Sequence, residues 1–410
     1  MNLTLQDREQ ILDKVDRLVR KKHVDPRLNG ADWDSIAKAR RDQILACEKA
    51  ENFENEVHEA VSQLKTSHTG FFHRSARKIP ARHAINATVQ RCTLDGTERW
   101  VLLDVHEGGP AHRAGLEAGD VLLRIGDREI VPPEPPVFHL GEPVRAEIRK
   151  RDGSHRAVTL NIPSPDSRKH PVIQPRAVSF SKLSDGTGLL TVTMFPGVVG
   201  IDLARDLDHA MRELRDCSRL IVDLRGNTGG GIGGLRLMSY LTPSRVPVGY
   251  SLTRRRAEKG YRKEELTRFG KIPAHKSTLV WLALRYAFID KSIAVVTEGL
   301  GPQKYHGRVV IVLNRHSASA AEIVAAFAKE NGLAKLVGNR TAGRLLSGGA
   351  FKVGKGYILG LPTAAYWTWG GTLIEGRGVE PDVPVELPYE DLISGRDPQL
   401  DKAVEVVGAI

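Results

Sequence analysis

Short apolar strands alternate with amphipathic helices in the C-terminal half of the chain, and this alternation limits the possible folds more than any other feature. Residues 189–195, 220–224 and 309–313 are apolar runs of strand length, and helical periodicity marks residues 201–214 and 320–329. Strand–helix alternation is typical of α/β layers, in which helices cover the faces of a sheet. The sequence therefore predicts an α/β core.

The remaining chain divides by pattern into further regions. Residues 1–80 carry apolar side chains at helical spacing and are predicted to form an N-terminal helical segment. Residues 84–163 contain short strand-like runs separated by glycine turns and predict a small β domain. Residues 176–390 hold the α/β core, and residues 391–410 a C-terminal helical tail.

Composition and charge exclude several classes of protein. The three cysteines are widely separated and form no Cys-x-x-Cys pair, so we expect neither a structural zinc site nor a disulfide framework. No metal or cofactor is expected. No apolar run approaches the roughly 18 residues of a membrane helix, so no membrane span is expected. The sequence has no apolar leader after Met1, which predicts a cytoplasmic location.

The net charge of +11 raises the question of an acidic partner. The densest basic stretch, residues 254–271, has few aromatic residues, is interrupted by glutamates and contains no recognisable nucleic-acid-binding module. This pattern favours a solvated basic insertion, and no nucleic-acid partner is expected.

Residues 108–130 run through a Gly-Gly-Pro turn, a short helix, the sequence Ala-Gly-Leu-Glu-Ala-Gly-Asp and an apolar strand. This order resembles a PDZ domain. The resemblance implies β-augmentation, in which a peptide adds a strand to an exposed sheet edge. A small β domain with a closed or vestigial groove is the alternative, and the sequence shows no clear carboxylate-binding loop.

A glycine-rich run, Asp223 to Gly234, directly follows a buried strand. Glycines there allow backbone N–H groups to converge on an anion. The run lacks the Lys-Ser/Thr pair of a P-loop, so a phosphate cradle is disfavoured. An oxyanion hole and a tight turn at the sheet edge both remain open.

Residues His316 to Glu322 connect a strand to a helix and contain two serines, Ser317 and Ser319. A serine at such a turn can act as a nucleophile, with the N–H of the following residue stabilising the oxyanion. Ser319 and Glu322 also have the spacing of a capping box. From this segment alone the cap is the favoured interpretation, and Glu375 alone is equally well explained as a solvated carboxylate.

The combination of motifs changes this balance. The order DLRGNTGG, SASAAE, VGNRTAG and EGRGVEPDVPVEL, behind a PDZ-like segment, resembles the tail-specific or C-terminal-processing serine peptidases and the related tricorn core protease. The resemblance covers roughly residues 60–390. It implies a ClpP/crotonase-like α/β peptidase core with an N-terminal helical segment and an inserted PDZ-like β domain.

The resemblance assigns Ser319, the second serine of SAS, as the nucleophile. The position of the lysine base in the tail-specific branch is occupied by Arg344. A guanidinium stays protonated in proteins, so Arg344 cannot be the base. We expect it instead to bind a carboxylate of Glu375 or of the substrate.

The tricorn-like branch has a Ser-His pair and a glutamate at the positions of Ser67, His68 and Glu375. In this interpretation His68 is the general base and acid, Ser67 orients it, and Glu375 completes the polar network. The residues implied for the oxyanion hole are Ala320 and Gly229 or Gly230. His73 and His316 are rival histidines.

The predicted function is a serine-type endopeptidase that cleaves unstructured polypeptides or protein C-terminal tails, with the PDZ-like segment gating or presenting the substrate. The alternative is a catalytically inactive peptide- or ligand-binding protein on the same scaffold. The missing lysine is the main support for this alternative. The sequence leaves the oligomeric state open.

Overall fold

A computed structural model describes residues 3–75, 78–164, 176–278, 292–301 and 305–410. The helices of these ranges are α1 Leu5–Lys22, α2 Trp33–Leu45, α3 Ala50–Ser62, α4 Ala81–Ala84, α5 Pro110–Arg113, α6 Ile201–Glu213, α7 Gly234–Tyr240, α8 Arg254–Lys259, α9 Ala320–Glu330, α10 Tyr389–Ser394 and α11 Pro398–Ala409.

The strands of the same ranges are β1 Gly70–His73, β2 Lys78–Pro80, β3 Ala87–Leu94, β4 Thr97–Val105, β5 Val121–Ile125, β6 Arg128–Glu129, β7 Val137–His139, β8 Pro143–Arg149, β9 His155–Asn161, β10 Val178–Lys182, β11 Gly188–Val192, β12 Arg219–Asp223, β13 Pro247–Thr253, β14 Thr267–Phe269, β15 Ile293–Val296, β16 Arg308–Leu313, β17 Lys335–Gly338, β18 Leu346–Gly354, β19 Tyr357–Thr368 and β20 Val383–Pro384.

The chain divides into two compact units, each assembled from separate segments. The first, here called the histidine unit, contains residues 3–75, 244–278, 292–299 and 343–378. Its sheet has the strand order β1-β19-β13-β15-β14, and β18 pairs with β19.

The core of the histidine unit forms where helix α1 packs on strands β18 and β19 and helix α3 packs on β1, while α2 packs against α1 and α3. Phe53, Phe71 and Tyr357 meet there, with Phe71 and Tyr357 stacked at a ring-centroid distance of 5.0 Å. The apolar faces of these helices are buried in this core, and such packing is the main source of helix stability in proteins. The short strand β1 pairs with β19 and directly follows the turn that contains His68.

The second unit, here called the serine unit, contains residues 78–164, 176–243, 300–301, 305–342 and 379–410. Its main sheet has the order β10-β11-β12-β16-β17-β20 and is parallel from β11 to β20. Helix α11 packs on β12, β16 and β17. The carboxyl ends of parallel strands β12 and β16 lie at the same edge of the sheet, where ligand sites of open α/β sheets form.

A separate antiparallel sheet, β3-β4-β5-β8-β9 with β6 beside β5, also belongs to the serine unit. Its core includes Leu102, Leu122 and Ile148, together with Phe138 from β7. This sheet falls within the region predicted to be PDZ-like, and we call it the PDZ-like sheet. Residues 165–175, between this region and the predicted core, lie outside the described residues.

The α/β fold class with N-terminal helices, predicted from the sequence, is confirmed. The four domain boundaries remain predictions. Over the described residues, the structure contains no helix that is both long enough and apolar enough to cross a lipid bilayer.

Candidate active site

Ser319 lies in a strained turn between strand β16 and helix α9. Its backbone has φ 56° and ψ −117°, a positive φ that non-glycine residues rarely adopt. Such strain persists only where surrounding contacts impose it, and it is common at catalytic nucleophiles on strand–turn–helix elbows. The strained backbone supports the nucleophile interpretation of this segment.

Glu322 fixes this turn from inside the protein. The Ser319 N–H donates to the Glu322 carboxylate at 2.8 Å, and the Glu322 N–H donates to the Ser319 carbonyl at 2.9 Å. Glu322 is fully buried, and the Thr341 hydroxyl donates to its second oxygen at 2.6 Å. The capping arrangement expected from the sequence is therefore present. The two bonds given above use the backbone of Ser319, so they are compatible with a catalytic role of its hydroxyl.

The glycine-rich loop after β12 approaches the nucleophile directly. A Cβ atom on Gly229 would lie 2.5 Å from the Ser319 Cβ and 2.8 Å from the Ala320 nitrogen, and Gly229 has φ 89°. Only glycine fits this position, because both the space and the backbone conformation exclude a side chain. The sequence did not distinguish an oxyanion hole from a plain turn for this loop. In the structure the loop lies against Ser319.

Two backbone N–H groups are suited to hold an oxyanion here. Ala320 is the first residue of α9, so its N–H has no acceptor within the helix. The Gly229 N–H donates to the Asn227 side chain at 2.8 Å. Among the described residues Gly230 donates no hydrogen bond. Of the two predicted glycines, Gly230 is therefore the better donor, and Gly229 provides the close approach.

His68 occupies a second strained turn, in the histidine unit. Its φ is 62°, and its Nδ1 lies 3.1 Å from the Ser67 hydroxyl oxygen. The ring packs against Gly348 at the start of β18: a Cβ atom there would lie 3.0 Å from the His68 Cδ2. The ring position thus depends on a glycine that the sequence motifs did not mark.

Glu375 links the histidine turn to the segment that contains Leu345. Its carboxylate accepts the Ser67 N–H at 2.8 Å and the Ser67 hydroxyl at 2.9 Å. The Leu345 N–H donates to the same carboxylate at 2.7 Å. The structure therefore brings Ser67, His68 and Glu375 into one hydrogen-bonded network.

The direction of these bonds fixes the histidine tautomer. A carboxylate only accepts, so the single Ser67 hydroxyl proton points to Glu375. The Ser67 oxygen then accepts from His68 Nδ1, which must carry the ring proton. His68 Nε2 is left with a lone pair, the state that a general base requires.

The surroundings of His68 keep its ring neutral near pH 7. Partial burial lowers the pKa of His68 below its ordinary value of 6.5, because a less hydrated site disfavours the charged ring. The negative charge of Glu375 acts in the opposite direction and is the smaller effect. A neutral imidazole can accept a proton, so this shift favours a base.

The other candidate residues have different surroundings. Arg344 is exposed, just before β18. The ring of His73 contacts the Ser75 hydroxyl and the Lys355 carbonyl, and the ring of His316 lies 3.1 Å from the Val89 carbonyl. No group of three or more metal-ligating side chains capable of holding an ion occurs in the described part of the chain.

The candidate residues thus form two clusters. Ser319, Ala320, Gly229 and Gly230 lie together in the serine unit. Ser67, His68 and Glu375 lie together in the histidine unit. That the two clusters cooperate remains a prediction.

Comparison with known proteins identifies the family behind these motifs. Residues 186–385 match the family model described as "Peptidase family S41", and residues 101–136 match "PDZ domain". Residues 186–385 form a peptidase family S41 domain. The S41 match includes the glycine-rich loop, the Ser319 turn and Glu375, and the PDZ match includes most of β4 and all of β5.

Two curated relatives show how this chain compares with longer proteins. "Tricorn protease homolog 1" of Streptomyces coelicolor is 26% identical over 96% of this chain, but the match covers 34% of that protein. The "Carboxyl-terminal-processing protease" of Picosynechococcus sp. is 23% identical over 73% of this chain and 64% of its own length. The chain thus spans about a third of the length of the tricorn protease homologues that it matches.

A solved structure supports the fold over nearly the whole chain. "Photosystem II D1 C-terminal processing protease" superposes with a TM-score of 0.58 at 19% identity, covering 98% of this chain and 97% of that one. At this identity the likeness concerns the fold alone.

Proposed function

We propose that this chain is a serine endopeptidase in which Ser319 is the nucleophile and His68 the general base. The observation that carries the proposal is the hydrogen-bonded chain from Glu375 through Ser67 to His68. This hydrogen-bond network provides His68 as a base. The position of the lysine in relatives with a Ser–Lys pair is occupied here by Arg344. The S41 match and the strained Ser319 turn support the same reaction class.

In the acylation step, the Ser319 oxygen attacks the carbonyl carbon of the scissile peptide bond. Its proton passes to His68 Nε2, and the ring becomes an imidazolium. Ser67 accepts from Nδ1 throughout, and the negative Glu375 stabilises the new positive charge. The carbonyl oxygen becomes an oxyanion, for which the Ala320 and Gly230 N–H groups are the proposed donors.

The tetrahedral intermediate then collapses. The peptide C–N bond breaks, and His68 gives its proton to the leaving amine, which releases the C-terminal fragment. In the second half of the reaction His68 removes a proton from water, and the resulting nucleophile attacks the acyl-enzyme ester. Breaking the ester returns the proton to Ser319 and releases the second fragment. The cycle needs no cofactor.

The proposed substrates are unstructured polypeptides or protein C-terminal tails. The support is chemical and comparative: the PDZ-like sheet belongs to a class that receives extended peptides, and relatives are named for carboxyl-terminal processing. Arg344 is the proposed contact for a substrate carboxylate.

A fluorophosphonate probe, which reacts with activated serines, tests the nucleophile and the base separately from substrate choice. We expect labelling of the full chain, no labelling of Ser319→Ala and strongly slowed labelling of His68→Ala. His73→Ala is the matched control, because it removes a rival histidine of the same unit. Equal labelling of the Ser319→Ala variant would show that Ser319 is not the nucleophile.

A further inference from the structure

The backbone of Gly226, at the start of the glycine-rich loop, is held at both its N–H and its carbonyl by buried side chains. Arg82 Nε donates to the Gly226 carbonyl at 3.0 Å, and the Gly226 N–H donates to the Asn314 amide oxygen at 3.0 Å. Arg82 Nη2 also donates to the Thr193 carbonyl at 2.8 Å. One arginine therefore fixes two backbone segments of the serine unit.

We call Arg82 and Asn314, which hold Gly226 between them, the clamp. Asp104, at the end of strand β4 in the PDZ-like sheet, supports Asn314 on the second side of this clamp. Both of its carboxylate oxygens lie 3.1 Å from the Asn314 amide nitrogen, which donates to them. Gly226 has φ 65°, and a Cβ atom there would lie 2.8 Å from Asp104 and 3.0 Å from the His106 ring. The PDZ-like sheet therefore contacts the glycine-rich loop directly, at a position where only glycine fits.

Arg82 and the neighbouring His106 are buried, and the charge of each is defined. Arg82 is 8% exposed and His106 is 5% exposed. Burial lowers the pKa of Arg82 to about 10, opposed by Asp104, so Arg82 stays protonated at neutral pH. Burial and the Arg82 charge lower the pKa of His106 to about 4, so its ring is neutral. The guanidinium of Arg82 thus remains available as a charged donor to the loop.

Asn227, the residue after Gly226, connects the clamped backbone to the turn that contains the nucleophile. Asn227 is fully buried, and its carbonyl accepts the Ala318 N–H at 2.8 Å. Its side chain accepts the Gly229 N–H at 2.8 Å. A displacement of Gly226 would therefore be transmitted to the loop that lies against Ser319.

We propose that Arg82 and Asp104 are positioning residues of the peptidase site, which set the oxyanion donor of the glycine-rich loop by holding the Gly226 peptide. This inference rests on the proposed function. It assigns the PDZ-like sheet a structural part in catalysis that does not require a bound peptide. Oxyanion donors act only when fixed in advance, and removing one costs on the order of 10²–10³ in kcat.

The test compares the kcat and KM of Arg82→Gln with those of the wild-type protein on a short peptide substrate. We expect kcat to fall about 10- to 100-fold with KM within about twofold, since a displaced donor weakens only the transition state. A peptide boronate, whose adduct places an oxygen in the oxyanion hole, should lose affinity by a factor similar to the loss in kcat/KM. Arg124→Gln, at a half-exposed arginine on β5, is the control and should change neither constant.

Arg82→Lys provides a milder variant in case Arg82→Gln does not fold. Lysine keeps the charge but cannot reproduce the planar fork that reaches Gly226 and Thr193 together, so an intermediate loss of kcat is expected. Unchanged kcat and boronate affinity in a folded Arg82→Gln variant, or in Arg82→Lys if Arg82→Gln is unfolded, would overturn the proposal.

Amide hydrogen exchange separates this proposal from the peptidase activity itself. The backbone amides of residues 224–232 should exchange at least about tenfold faster in Arg82→Gln, or in Arg82→Lys if Arg82→Gln is unfolded, than in Arg124→Gln. The reason is that the clamp no longer restrains the loop. If the unchanged chain neither cleaves peptides nor reacts with fluorophosphonate, the proposed function fails, whereas the exchange result still tests the clamp. Unchanged exchange in that loop would contradict the clamp even in an active enzyme.

Discussion

The Ser319 turn and the His68 turn both use a positive φ, but different kinds of interaction hold them. Ser319 is fixed from inside by the fully buried Glu322 and by the closely packed Gly229. The His68 turn lies at the surface with its ring only partly covered, and one half-buried carboxylate, Glu375, accepts three hydrogen bonds beside it. The first turn is therefore restrained by buried hydrogen bonds together with close packing, and the second mainly by a small polar network at the surface.

This difference predicts how each turn fails. A packed turn tolerates no added atom, because core atoms cannot move far without cost. A polar network at the surface weakens gradually as partners are removed, because water replaces lost hydrogen bonds. The four variants below test this contrast, beginning with the largest expected loss.

Removing the imidazole has the largest expected effect. His68→Ala should lower kcat by about 10²–10⁴, the range associated with general acid–base catalysis, while the melting temperature stays near that of the unchanged chain. Steady-state kinetics on a short peptide, with His73→Ala as control, provide the measurement. A fully active His68→Ala variant would remove His68 from the mechanism.

Adding a single methyl group should break the packed turn. Gly229→Ala places a Cβ against Ser319 at φ 89°, so we expect roughly a hundredfold loss of kcat and about 1–3 kcal/mol lower stability. Gly371→Ala is the matched control, because Gly371 has φ 91° with no atom within 4 Å of its added Cβ. Equal activity losses in the two variants would mean that backbone strain, rather than contact with Ser319, is responsible.

The polar network should respond through its pH dependence. Glu375→Gln removes the charge that raises the pKa of His68, so the acid limb of the kcat/KM profile should move to lower pH. Activity at pH 8 should fall by only about tenfold, because Glu375 acts through Ser67 rather than on the substrate. In the unchanged chain this limb should lie below pH 6.5, since burial lowers the pKa of His68 and only the neutral ring accepts a proton. An acid limb that stays in place after the substitution contradicts the coupling.

The smallest expected effect concerns the position of the missing lysine. Arg344→Lys should raise KM several-fold with little change in kcat, because a lysine cannot bind a carboxylate in the bidentate geometry of arginine. For peptides with an amidated C-terminus, which lack the carboxylate, the KM of Arg344→Lys should equal that of the wild-type protein. Activity that persists when Arg344→Lys is combined with His68→Ala would instead reveal a restored Ser–Lys pair.

Sequence patterns were sufficient for the local elements of the site. The apolar run before Asp223, the glycine run after it and the strand–turn–helix around Ser319 are each encoded within about a dozen residues. The family resemblance added Ser67, His68 and Glu375, whose hydrogen bonds the structure contains. Neither source marked Gly348 or Arg82, because their roles depend on contacts with residues far away in the chain.

By itself, the sequence determined the α/β class, the positions of the motifs and the exclusion of Arg344 as a base. These follow from side-chain periodicity and from the chemistry of single residues. Only the tertiary structure decided that Glu375 bonds Ser67 across 308 positions, that Gly229 lies against Ser319 and that Arg82 holds Gly226. The physical reason is that side-chain periodicity records which face of an element is buried. The partner that each polar group meets there depends on how distant segments pack.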